Sequence, residues 1–160
     1  MDDDLIKDSL TGFDDVWKRV TGSSAPLSEA YSEETMLREL IHSETCAAQY
    51  AAALARMFQG DGRAVLVRHA ADAKRHGRRL RAEYYIRTGV SPAPMDNCQG
   101  VSGKLASLRS ALLDADALAE RYDHAGSHTD SEELRQVYQT FAADARRRAQ
   151  ETRALLIENF

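Results

Sequence analysis

Four polar side chains interrupt apolar helical stripes and are the positions of this chain best suited to chemistry: Glu44, His76, Asp116 and Arg148. Two carboxylates and an imidazole suit a redox or Lewis-acid ion such as iron, manganese or zinc. Arg148 has no lone pair to offer a metal and stays protonated, so on a core face it demands an anion close by. His69 lies on the same helical face as His76, seven residues earlier, and is an extra ligand candidate. Tyr50 and Tyr122 occupy equivalent places and either hydrogen-bond toward the centre or pack as aromatics. His124 and His128 have an i, i+4 spacing that could clip zinc, but they fall beside Gly126, where a helix is expected to end, and read as solvated loop residues. His42 is expected off the core face. The basic runs Lys74–Arg81 and Arg146–Arg148 read as the wet side of long helices, with Glu83 and Glu151 nearby.

Those positions need long helices to hold them, and the apolar periodicity supplies four. After Ser32, with Glu33 and Glu34 suiting a helix start, a stripe runs from Leu37 through Leu40, Ile41, Ala48 and Leu54 to Phe58. A second takes Leu66, Ala70, Ala73, Leu80 and Tyr84 and ends at Thr88-Gly89. A third takes Leu105, Leu108, Leu112, Ala119 and Tyr122, and a fourth takes Leu134, Tyr138, Phe141, Ala145 and Leu155. The predicted helices are 32–59, 63–88, 102–125 and 131–158, each about 40 Å long. Residues 1–31 form an amino-terminal extension with a short helix around Trp17, followed by a breaker, Thr21 to Pro26. The bundle proper is 32–160.

The first and third connections are tight, so helices one and two pair antiparallel, as do three and four. The middle connection holds Pro92 and Pro94 and can stretch about 40 Å, one helix length, which predicts a single long crossover between helices two and three. The chain also repeats itself. A shift of 72 places Leu40 on Leu112, Tyr50 on Tyr122, Val65 on Val137 and Ala70–Ala73 on Ala142–Ala145, the mark of a duplicated helical hairpin.

The segments around Glu44 and His76, Glu44-Thr-Cys-Ala-Ala-Gln-Tyr50 and Ala71-Asp-Ala-Lys-Arg-His76, resemble the ferritin-like superfamily in its rubrerythrin-type branch, over about residues 33–158. The resemblance implies a Glu on the first helix of each hairpin and a Glu-x-x-His on the second, because residues three apart share a helix face and reach one metal pair. Glu44 and His76 match that pattern, and Asp116 stands for the second helix-one Glu. The departures are systematic: Ala73 and Ala145 replace both bridging carboxylates, and Arg148 replaces the second His. A di-iron centre is therefore not expected. In its place the substitutions predict an Arg148–Asp116 pair, a polar Glu44–His76 contact opposite, and free space where the two alanines stand.

Two functions follow. One is a non-catalytic bundle, without a cofactor, that serves a structural role or binds a partner protein or a small ligand. The other is a metal-dependent oxidoreductase with a single iron, manganese or zinc on Glu44, His76 and Asp116. Composition excludes other classes. The chain is 43% hydrophobic and 29% charged, with 3 prolines, and is poor in Val and Ile, which argues for a folded all-α protein. A net charge of −4 argues against nucleic acid as a partner, and no run approaches the length of a membrane span. The start, MDDDLIKD, is acidic where a secretory leader is basic, which predicts a cytoplasmic protein with Cys46 and Cys98 as free thiols. A homodimer through an outer helical face completes the expectations.

Overall fold

The computed structural model describes residues 32–95 and 97–160, so the expected short helix around Trp17 lies outside the described residues. Four helices, and no strand among the described residues, form a bundle: α1 Glu33–Ala55, α2 Gly60–Thr88, α3 Lys104–His128 and α4 Glu132–Glu158. Three of them begin or end on a local signal. The Ser32 hydroxyl accepts the Thr35 N–H at the start of α1, and Ser131 does the same for Leu134 at α4, each followed by two glutamates in the first turn. Those carboxylates face the positive end of the helix dipole. Gly89 stops α2 in the left-handed region (φ 72°), which a Cβ would disfavour.

Two boundaries differ from the expected ones. Helix α1 ends at Ala55, and the chain turns through 56–59 before Gly60 opens α2. Helix α3 runs past Gly126 to His128. Gly126 is not a stop signal there, because it is a buried packing position whose α-carbon lies against Tyr138 of α4. His124 and His128 consequently lie in the last turns of α3, with tilted rings whose centroids are 4.1 Å apart, rather than in a loop.

Helix α1 packs on α2, and α3 on α4. Across the other faces the side-chain hydrogen bonds fix the register. Ser43 and Tyr50 of α1 meet Arg121 and Ser107 of α3, so these two helices run in opposite directions. Arg68, His76 and Arg79 of α2 meet Glu151, Asp144 and Glu133 of α4, again antiparallel. Arg79 of the first basic run is thus partnered across the α2–α4 seam with Glu133, and Arg147 of the second with Asp72.

The core has two apolar parts. One gathers Leu37, Leu40, Leu80, Tyr122, Leu134 and Phe141; the other gathers Leu54, Phe58, Leu66, Leu108 and Leu155. Each buried leucine contributes roughly 1.5–3 kcal/mol. Between the two, at mid-height, the buried side chains turn polar. The segment 89–103 joins α2 to α3 and is tied to α1 by a disulfide between Cys46 and Cys98, whose α-carbons are 5.0 Å apart. The expectation of free thiols is corrected here. Spacing along the chain could not reveal the bond, because the two cysteines are separated by 52 residues and meet only once the connection lies on α1. No helix of the described residues is long and apolar enough to cross a membrane.

Candidate functional site

Glu44 is completely buried between the two apolar parts of the core. Three donors converge on its carboxylate. The Tyr122 hydroxyl donates to Oε1 at 2.6 Å, His76 Nδ1–H to the same oxygen at 2.9 Å, and Arg148 Nη2 spans both oxygens at 3.0 and 3.1 Å. The His76 ring lies flat on Phe141, with centroids 3.8 Å apart, and its Nε2 meets Asp144 Oδ2 at 2.9 Å. All four helices contribute to this network: Glu44 from α1, His76 from α2, Tyr122 from α3, and Phe141, Asp144 and Arg148 from α4.

The electrostatics follow from burial and partners. Burial pushes the Glu44 carboxyl up, but the His76 hydrogen bond and the Arg148 and His76 charges outweigh it and hold the group below the usual carboxylate range. Burial, with the Glu44 charge beside it, pushes the Tyr122 hydroxyl well above its ordinary value, so it remains a donor. His69 is also buried and meets Glu151 at 2.6 Å; burial drives its imidazole below the ordinary value despite that partner.

Glu44, His76 and Arg148 therefore come together, and Tyr122 joins them, as a hydrogen-bonding residue rather than only a packing one. Ala73 and Ala145 are buried in the core nearby, at 1% and 0% exposure. Tyr50 points elsewhere, its hydroxyl donating to the Ser107 carbonyl at 3.3 Å. Asp116 is the misplaced residue. It is exposed on α3, so the expected Arg148–Asp116 pair does not form and Glu44 takes the guanidinium instead. The reason is a slip of one residue. Along α2 and α4, burial matches at an offset of 72, from Leu66 and Tyr138 through His76 and Arg148 to Leu80 and Thr152. Along α1 and α3 it matches at 71, Leu37 with Leu108, Ile41 with Leu112, Ala48 with Ala119 and Leu54 with Ala125. Glu44 thus corresponds to Ala115, and Asp116 has rotated out to solvent. Asp144, whose carboxylate holds His76, was missed; its place in the repeated Ala-Ala-Asp-Ala segment was the available signal.

A metal set of Glu44, His76 and Asp116 is consequently not assembled. Among the described residues, the one group of three histidine, cysteine or acidic side chains with ligand atoms mutually within 4.8 Å is His42, Cys46 and Cys98. A cavity of about 320 Å³ opens beside Arg148. Ala47, Ala51, Leu66, Ala111 and Leu118 give it apolar walls, Arg148, His69 and Thr152 form its buried end, and Asn97 and Gln99 of the connection stand at its exposed end. Arg148 is 5% exposed, and its Nε–H is buried with no partner among the described residues. A guanidinium has five N–H donors. Glu44 engages only Nη2.

No family model matches the chain, and no curated protein does. A solved structure, the hypothetical protein Pfu-1136390-001 from Pyrococcus furiosus, is similar in fold with a TM-score of 0.72 at 20% identity, covering 80% of this chain and 90% of that one. At that identity the likeness is one of fold alone.

Proposed function

We propose that the chain is a ferritin-like, rubrerythrin-like bundle in which a buried Glu44–Arg148–His76–Tyr122 network replaces a di-metal centre, and that it binds a small acidic ligand without performing redox chemistry. The bundle topology supports the first part. With α1 antiparallel to both α2 and α3, helices α2 and α3 point the same way, and the segment 89–103 has to travel the length of the bundle. The shared burial of α2 and α4 at an offset of 72 supports a duplicated hairpin, and the 71 offset of α1 and α3 is then a single-residue change in one of the turns.

The single observation that carries the ligand reading is that Arg148, whose Nε–H is buried without a partner among the described residues, lines the cavity. A buried donor left unmade costs about 1–3 kcal/mol, and an acceptor placed there recovers it. The guanidinium edge that Glu44 leaves open suits a carboxylate, and the apolar walls suit a compact hydrocarbon body. The volume falls within the roughly 300–1,000 Å³ of ordinary ligand sites.

The test compares small carboxylic acids with their matched amides by calorimetry on the purified chain. Acids are expected to bind and amides not to. The variant Ala115→Phe, which adds a ring to the cavity wall, is expected to bind neither. Metal analysis of the same protein, prepared without chelators, should show no iron or manganese that Glu44→Ala removes. Equal binding of acids and amides, or iron lost on Glu44→Ala, would sink the reading.

A further inference from the structure

We propose that His42, Cys46 and Cys98 form a thiol-controlled zinc site: a disulfide when oxidised, and a Cys-Cys-His metal site when reduced. It stands independently of what the cavity holds. His42 and Cys46 are four residues apart on α1 and so share one face of the helix. The His42 ring nitrogens lie 3.7 and 3.8 Å from the Cys46 sulfur. In a tetrahedral site with Zn–S of about 2.3 Å and Zn–N of about 2.0 Å, sulfur and nitrogen stand about 3.6 Å apart. That half of the site is already at ligand spacing.

The other half is Cys98, on the connection rather than on a helix. Two thiolates on one zinc sit about 3.8 Å apart, against about 2.05 Å in a disulfide, so Cys98 has to retreat by about 1.7 Å. A residue on an irregular segment outside the helix ladder can make that shift. All three side chains are half-buried, within reach of a reductant and an ion.

The chemistry balances with a dithiol as the reductant. Two electrons and two protons pass to the protein: the Cys46–Cys98 bond breaks, each sulfur becomes a thiol, and the dithiol closes its own disulfide. Zinc then displaces both thiol protons to solvent and takes the imidazole lone pair of His42, with water as the fourth ligand. His42 and Cys46 also line the cavity, so an ion held there has the cavity on one side.

Cobalt serves as the probe, since a tetrahedral thiolate site gives it sulfur charge-transfer and strong d–d absorption. The full chain is reduced with a dithiol, freed of it under anaerobic conditions and titrated with cobalt, then with zinc. One cobalt per chain with two-thiolate absorption is expected for the reduced chain and none for the oxidised chain. The variant His42→Ala should bind at least about tenfold more weakly, and Cys98→Ser should lose half the sulfur absorption. Circular dichroism follows the helices throughout. Equal binding before and after reduction, a reduced folded chain that takes no metal, binding that survives Cys46→Ser with Cys98→Ser, or unfolding on reduction would each overturn the proposal.

Discussion

Glu44 is held by three donors, and that makes its removal asymmetric. Glu44→Ala leaves the Arg148 guanidinium buried without its counter-charge, whereas replacing both residues by apolar ones of similar size removes the charge together with its partner. Arg148→Met with Glu44→Leu should therefore unfold at a higher denaturant concentration than Glu44→Ala alone, which is expected to cost about 3–5 kcal/mol. Chemical denaturation of wild type and the two variants checks both. The carboxyl also sets an acid limit. Its folded value lies below its unfolded one, so its stabilisation is complete above the ordinary glutamate value of about 4.3 and is lost as the pH falls through the folded value. Wild type should lose stability steeply in that acid window and Glu44→Gln should show a flatter limb, as thermal melts from pH 7 to 2 would report. Glu44, His76 and Arg148 were legible in the sequence because each is a polar residue at helical spacing on an apolar stripe. The partner of Arg148 was not, since the choice between Glu44 and Asp116 turns on one residue of register.

The buried positions of helix α2 and helix α4 keep one offset throughout. Helices α1 and α3 keep a different one, and identities such as Tyr50 with Tyr122 or Leu40 with Leu112 pull an ungapped comparison toward 72 although burial follows 71. Gly126 misled for a related reason: glycine at a helix end and glycine at a close helix–helix contact look alike in sequence, and only the Tyr138 packing separates them. The connection 89–103 gave itself away by Pro92 and Pro94, but not the covalent tie to α1. That tie closes a loop of 52 residues, for which chain entropy alone predicts about 4 kcal/mol of stabilisation. Reduction, or Cys98→Ser, should lower the denaturation free energy by up to that amount while leaving the four helices formed. Ser131→Ala, which deletes the α4 cap, should cost about 1 kcal/mol, a useful calibration on the same assay.

At the scale of the molecule, the polar layer divides two apolar parts that would otherwise merge into one continuous core. Its members come from four helices, and the cavity beside it is lined by the same four together with the connection. A ligand there touches every element of the bundle at once, so binding is linked to global unfolding rather than to the opening of one hairpin. An acid that binds only the folded chain raises its stability by RT ln(1 + [L]/Kd), about 2.7 kcal/mol at one hundred times Kd. For a domain of this size that corresponds to a melt raised by roughly 5–10 °C. The rise should follow the logarithm of acid concentration and vanish in Ala115→Phe, whose own melt reports any cost of filling the wall. The Glu44→Gln variant separates local from global effects: Arg148 then keeps its place but faces a neutral amide, so the acid should bind more tightly as the fold itself weakens. Acid binding that weakens in step with stability would mean that the ligand is not held by the guanidinium.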